Sequence, residues 1–164
     1  MSPHREIERK FLVEELPSGW KRRKSDSIVQ GYFPHATEEV EIRLRRKGAR
    51  HFITIKGGYG LRRTEEEIEI RRPQFGALWP LTRAARIAKR RHRIPYQGLT
   101  IEMDVYQGPH RGLITAEIEF SSVHASREFR PPKWLGREIT GNRRFANAEL
   151  ARRQGLPSGF ARAH

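Results

Sequence analysis

The chain has 164 residues, no cysteine and a formal net charge of +14, from 33 Lys and Arg against 19 Asp and Glu. Without cysteine it has no disulfides, no thiolate chemistry and no cysteine-ligated zinc. The length suits one domain with a hydrophobic core, so we predict a single domain over residues 1–164. The charge predicts an anionic partner, for which nucleic acid and phosphorylated small molecules are the leading candidates.

The sequence shows neither a membrane span nor an export signal. The first ten residues, MSPHREIERK, are charged where a secretory signal has an apolar run. Elsewhere the apolar runs last only a few residues, against the roughly 20 that a membrane helix needs. We therefore expect a soluble, cytoplasmic protein with no membrane partner.

Most of the predicted elements are β-strands. Alternation of apolar and charged residues predicts eight of them, at residues 6–13, 27–33, 40–47, 51–56, 62–70, 86–94, 100–106 and 113–121. The turn between the fourth and the fifth contains Gly57, Gly58 and Gly60, which is typical of a hairpin. Short connections of this kind favour antiparallel pairing.

Three helical segments accompany the strands. Apolar residues have helical spacing within 74–85, but Pro80 falls inside this segment, so we expect a short or kinked helix. A second short helix is predicted at 123–129. A closing helix is predicted at 143–153, and Gly155 marks its end.

The strands carry their charges on one face, and the charges come in pairs of one sign at positions i and i+2. The acidic pairs are Glu6/Glu8, Glu65/Glu67, Glu102/Asp104 and Glu117/Glu119, and the basic pairs are Arg43/Arg45 and Lys89/Arg91. Because side chains alternate across a strand, each pair lies on a single face of its strand.

Two architectures explain a sheet with one charged face. In an open sheet the charged face meets solvent, and helices cover the apolar face. In a closed eight-stranded barrel the charges line a lumen that holds a small ligand, and helices cover the outer wall. Segregation of acidic from basic pairs favours the barrel, because scattered mixed charges are enough for solubility. The pattern by itself leaves both architectures open.

The motif Glu6-x-Glu8-x-Lys10 resembles the N-terminal signature of the CYTH, or triphosphate tunnel metalloenzyme, superfamily. Further matches follow in the family's order: Arg43-x-Arg45, Lys56, Glu65-x-Glu67, Lys89-x-Arg91, Asp104 and Glu117-x-Glu119. The resemblance covers nearly the whole chain and extends to the short bacterial inorganic triphosphatases. It implies an α+β, mainly β fold, an eight-stranded antiparallel closed β-barrel (tunnel) with a charged lumen and helices packed on the outside.

The chain departs from this family near its C-terminus. Relatives often have an acidic residue, a lysine and a tyrosine where this chain has Asn142, Arg143 and Phe145. The difference bears on how the closing helix plugs one mouth of the tunnel.

The resemblance implies that basic side chains hold a triphosphate. Guanidinium forks suit phosphate oxygens, and charges must replace the water that such an anion loses. The expected substrate-binding residues are Lys10, Arg43, Arg45, Lys56, Arg63, Lys89 and Arg91. Of these, the lysines Lys56 and Lys89 are expected to act in catalysis, by activating or orienting the attacking water or by stabilising the transition state.

The acidic residues have two expected roles. By resemblance, Glu6, Glu8, Glu117 and Glu119 are the metal ligands, since carboxylate oxygens are what Mg²⁺ or Mn²⁺ prefers. The remaining carboxylates are expected to support the basic residues or waters, or to be simple ion-pair partners: Glu65, Glu67 and Asp104.

These expectations favour metal-dependent hydrolysis of inorganic triphosphate to phosphate and pyrophosphate. The alternatives are a class IV adenylate cyclase, a hydrolase of an organic triphosphate such as thiamine triphosphate or a nucleoside triphosphate, and a non-catalytic protein that binds polyphosphate or nucleic acid. Under the first hypothesis the partner is a small polyanion and nucleic acid is not expected. The sequence leaves a homodimer open.

Overall fold

The computed structural model describes residues 7–34, 40–57 and 64–160. The strands are β1 (Ile7–Val13), β2 (Ser25–Tyr32), β3 (Val40–Lys47), β4 (Arg50–Gly57), β5 (Thr64–Ile70), β6 (Arg86–Tyr96), β7 (Leu99–Tyr106), β8 (Ile114–Phe120) and β9 (Leu135–Glu138). The α-helices are α1 (Arg72–Leu78), α2 (Val123–Glu128) and α3 (Asn147–Arg153). Within the described ranges, none of the helices combines the length and the apolar character needed to cross a membrane.

All the strands belong to one antiparallel sheet in the order β5-β4-β3-β2-β6-β7-β8-β1-β9. This confirms the predicted mainly-β class, and the eight predicted strands are all present. The structure differs from the prediction in two details. A ninth strand, β9, occupies the free edge of β1, and in the part of the chain that the structure describes no ladder joins β5 to β9. Backbone hydrogen bonds therefore do not close the barrel there.

The outer face of the sheet forms a hydrophobic core beneath α2. Phe11 and Val13 of β1 are buried together with Ile101 of β7 and Ile118 of β8, and Ala125 of α2 packs against them. These strands are adjacent, so their outward-facing side chains form one continuous apolar surface. The predicted outer wall is confirmed at these positions.

A second hydrophobic cluster fills one end of the inner face. In β1 the inward-facing row passes from Lys10 to Leu12, and in β7 it passes from Asp104 to Tyr106, since residues two apart share a face. Leu12 and Tyr106 pack with Leu150 of α3, which is fully buried. The inner face is therefore charged along most of its length and apolar at the end that α3 covers.

The segment around α1 packs closely on the outer face of β2. Pro73 lies in the first turn of α1, where its missing N–H is not needed, and α1 gives way at Trp79 to a short 3-10 turn. This confirms the expected short helix. A side chain on Gly31 of β2 would place its Cβ 2.8 Å from the Trp79 ring and still closer to Thr82, so the contact requires glycine.

Candidate active site

A cavity of about 670 Å³ lies on the inner face of the sheet. It is lined by Glu8, Gln30, Arg43, Arg45, Lys56, Glu65, Glu67, Arg91, Thr100, Glu102, Glu117, Glu119 and Asn147. These residues come from each of the strands β1 to β8 and from α3, so the sheet curves around the cavity. The charged face thus encloses a volume instead of lying flat against solvent.

The structure brings most of the predicted site residues together. Nine of them line the cavity, namely Glu8, Arg43, Arg45, Lys56, Glu65, Glu67, Arg91, Glu117 and Glu119. Lys10, Lys89 and Asp104 share the same face but lie behind this lining. The predicted metal ligand Glu6 and the predicted substrate contact Arg63 lie outside the described residues.

Asp104 anchors a buried charge network beneath the cavity. Its Oδ2 lies 2.6 Å from the Lys89 Nζ, and both side chains are 1% exposed. The Arg91 guanidinium approaches the same carboxylate bidentately, with Nε and Nη2 each 2.7 Å from an oxygen. Burial alone would raise the pKa of Asp104, but Lys89 and Arg91 outweigh it and lower that pKa to about 2. The carboxylate is therefore ionised and holds Arg91 at the cavity wall.

Lys89 shares the Asp104 carboxylate with Arg91. Burial is the largest influence on Lys89, and it lowers the pKa of the ammonium although Asp104 opposes the shift. The Nζ also lies 3.4 Å from Oδ1 of Asn147. The sequence could not show whether the groups that lower the pKa of Lys89 or those that raise it prevail. In the structure the lowering by burial prevails.

Glu117 joins the cavity wall to a second, partly buried lysine. Its Oε1 lies 2.8 Å from the Lys10 Nζ, and its Oε2 lies 3.3 Å from Nη2 of Arg91. Burial would raise the pKa of Glu117, but Lys10 and Lys89 reverse this and the net shift is downward. Lys10 also donates to the carbonyl oxygen of Phe145, at 3.1 Å. The carboxylate is thus held ionised between cations.

The part of the cavity wall that contains Arg43 and Arg45 has more positive than negative charge. Arg43 and Arg45 both reach Glu67, at 3.4 Å and 2.8 Å. Burial and the neighbouring Arg43 lower the pKa of Arg45, as expected where two guanidinium groups share one carboxylate. The Nε atoms of both arginines are buried without a hydrogen-bond partner in the described structure. An anion placed between these arginines would relieve their mutual repulsion.

Lys56 occupies a more open position. Its Nζ lies 3.1 Å from Glu65, and both side chains are nearly half exposed. The pair lines the cavity, so Lys56 can turn from its carboxylate partner to a ligand at little cost.

The carboxylates of β1, β7 and β8 lie side by side. Glu8 is directly opposite Glu119, and Glu102 is directly opposite Glu117. Like charges in facing positions destabilise a sheet unless a cation lies near them. Among the described residues, no three His, Asp or Glu side chains are grouped closely enough to hold a metal ion. The chemistry of the donors nevertheless fits a hard divalent cation, because all of them are carboxylate oxygens.

Four lining residues are not among the predicted site residues, namely the charged Glu102 and the neutral Gln30, Thr100 and Asn147. Gln30 and Thr100 lie on strands, and Asn147 lies on α3. Charged pairs at i and i+2 are the signal for this site in the sequence, and neutral side chains carry no such signal. In the case of Asn147 the strand alternation could give no signal at all, because the residue is helical.

Comparisons with known proteins agree with this geometry. The model of the CYTH domain family matches residues 4–148. The chain is 41% identical to an inorganic triphosphatase of Nitrosomonas europaea, over 89% of this chain and 96% of that protein. It is 30% identical to an inorganic triphosphatase of Acetivibrio thermocellus, over 90% and 94%.

Solved structures share the fold of this chain. The crystal structure of the inorganic triphosphatase NE1496 superposes with a TM-score of 0.74 at 38% identity, covering 90% of this chain and 95% of that one. A putative adenylate cyclase of Bacillus halodurans shares the fold at 19% identity, with a TM-score of 0.55 over 77% of this chain and 87% of that one. The chain belongs to the CYTH domain family.

Proposed function

We propose that this protein hydrolyses inorganic triphosphate to phosphate and pyrophosphate with the aid of Mg²⁺ or Mn²⁺. One observation carries the proposal: the cations of β3, β4 and β6 and the carboxylates of β1, β7 and β8 face one cavity of about 670 Å³. The relatives at 41% and 30% identity, which match nearly their whole length, are inorganic triphosphatases. A cavity lined by both signs of charge suits a polyanion together with its counter-cation.

The basic residues of the cavity wall bind the triphosphate. Arg43 and Arg45 approach it from one side, and Arg91, held by Asp104, approaches it from the other. Lys56 leaves Glu65 to contact a phosphoryl group. Lys10 and Lys89 contribute positive charge from behind the lining, and Arg63 completes the set by resemblance. Glu65, Glu67 and Asp104 hold these cations in position.

Glu8, Glu117 and Glu119 would hold the metal ion, with Glu6 added by resemblance. A bound ion would supply charge neutralisation and would lower the pKa of coordinated water. Lys89 is held by Asp104 beneath the lining, where its ammonium orients the attacking water or stabilises the transition state. Lys56 and Arg91 stabilise the charge that develops on the transferred phosphoryl group.

The lining of the cavity supports an inorganic substrate over an organic one. None of the described lining residues is aromatic, so an adenine or thiamine ring finds no aromatic side chain to stack on among them. The single-domain organisation and the cytoplasmic location stay predictions from the sequence, which leaves a homodimer open.

The test is phosphate release from tripolyphosphate by the wild type and by Glu117→Gln, with Mn²⁺ binding measured by calorimetry on the same samples. We expect Glu117→Gln to lose both activity and metal affinity. Glu128→Gln, an exposed change on α2 away from the cavity, is the matched control and keeps both. Undiminished turnover and metal binding in Glu117→Gln would refute the assignment.

A further inference from the structure

Asn147 holds a distinct place in the cavity. It is the one described lining residue that comes from a helix, since all the others lie on strands. Four residues further along α3, Ala151 packs with Leu150 into the apolar cluster that fills the end of the inner face. Asn147 therefore lies at the floor of the cavity, between its charged walls and its closed apolar end.

The neighbours of Asn147 fix the orientation of its amide. Its Oδ1 accepts a hydrogen bond from the Tyr106 hydroxyl at 2.7 Å and lies 3.4 Å from the Lys89 Nζ. Tyr106 stays protonated, because burial raises the pKa of its phenol well above the usual value. The Lys89 ammonium can only donate and the Tyr106 hydroxyl donates here, so the oxygen faces them and the amide Nδ2 with its two N–H groups faces the other way. No acceptor for Nδ2 is found in residues 7–34, 40–57 or 64–160.

We propose that Asn147 is a substrate-binding residue, whose Nδ2 donates to the terminal phosphoryl oxygens at the closed end of the cavity. The inference rests on the proposed triphosphate hydrolysis and identifies the residue that binds the deepest group. Apolar side chains and α3 lie beyond this floor, so the deepest group has no room for an ester substituent. The substrate must therefore enter with an unesterified terminal phosphate first.

A neutral amide suits this position. Tyr106 and Lys89 already hold the carbonyl oxygen, so the donor is oriented before the substrate arrives and little entropy is lost on binding. A cation at the same place would lie against the buried Lys89 and would be repelled by it.

Two variants separate donation to the substrate from a purely structural role. Asn147→Asp keeps an acceptor for Tyr106 and Lys89 but replaces the Nδ2 donors by an anionic oxygen, whereas Asn147→Ala deletes the acceptor and the donors without adding a charge, so only an effect shared by both variants reports the lost donors. The readouts are KM for tripolyphosphate and the rise in melting temperature that tripolyphosphate causes in the metal-free protein. Glu149→Gln is the control, because Glu149 lies on the same helix, pairs with Arg153 and does not line the cavity.

We expect both Asn147 variants to raise KM by about tenfold or more, the loss of one hydrogen bond to a charged group, and to reduce the tripolyphosphate-induced shift. Asn147→Asp should melt at or above the wild-type temperature, which excludes misfolding as the cause. If either variant keeps the wild-type KM and shift, Asn147 does not donate to the substrate. If the wild type binds tripolyphosphate without hydrolysing it, the proposed function fails, and the thermal shifts still decide the role of Asn147.

Discussion

Replacing Asp104 by asparagine removes the charge that holds Lys89 and Arg91 beneath the cavity. In the folded protein the two cations lower the pKa of Asp104 from its usual 3.8 to about 2. At ~1.4 kcal/mol per pKa unit this shift corresponds to about 2 kcal/mol of stability at neutral pH. Asp104 is 1% exposed, so solvent screening does not reduce this value much.

The sign of the pH dependence follows from the lowered pKa. The contribution of the ionised carboxylate is complete above the unfolded pKa of 3.8 and is lost as pH falls towards the folded pKa of about 2. Asp104→Asn should therefore be less stable than the wild type by about 2 kcal/mol at pH 7, and the difference should fall to roughly half by pH 3.

Urea unfolding followed by circular dichroism at several pH values measures this difference. The control is Glu138→Gln, which removes a partly exposed carboxylate paired with Arg9 and should cost less than ~1 kcal/mol. A difference below ~1 kcal/mol for Asp104→Asn at pH 7, or one that is constant down to pH 3, would refute the reasoning.

Three further changes test the packing, the anion site and the metal. Gly31→Ala should cost several kcal/mol in urea unfolding, because its Cβ would overlap the turn after α1, whereas Gly76→Ala, with open space around it, should gain about 0.5–1 kcal/mol. Equal effects of the two would contradict the packing. Arg45→Lys should raise KM for tripolyphosphate about tenfold, because lysine lacks the bidentate fork, while Arg50→Lys, outside the cavity, should leave KM unchanged. Chelation with EDTA should stop phosphate release, and Mg²⁺ or Mn²⁺ should restore it; turnover that survives EDTA would exclude a metal-dependent mechanism.

The sequence predicts the strands well where charged and apolar residues alternate. β3 spans 40–47 in both the prediction and the structure, and β1 agrees with the prediction over 7–13, the part of it that the structure describes. β9 was missed because LGRE is four residues long and has no alternation. It forms because the edge of β1 offers unpaired backbone groups, and such pairing depends on tertiary neighbours instead of local pattern.

The sequence also predicts which face a side chain lies on, but not its depth. Arg45 and Lys89 belong to the same charged face, yet Arg45 lines the cavity while Lys89 is buried behind it. Depth depends on how the sheet curves and on where the apolar cluster begins, and both are set by contacts distant in sequence. The position of Asn147 depends on the docking of α3, which no periodicity encodes.

The most direct test of the proposed activity is a comparison of tripolyphosphate, ATP and thiamine triphosphate as substrates for the wild type with Mg²⁺. We predict that tripolyphosphate has the highest kcat/KM and yields phosphate and pyrophosphate in equal amounts. Preference for ATP or thiamine triphosphate, formation of cyclic AMP, or the absence of phosphate release from tripolyphosphate would contradict the proposal.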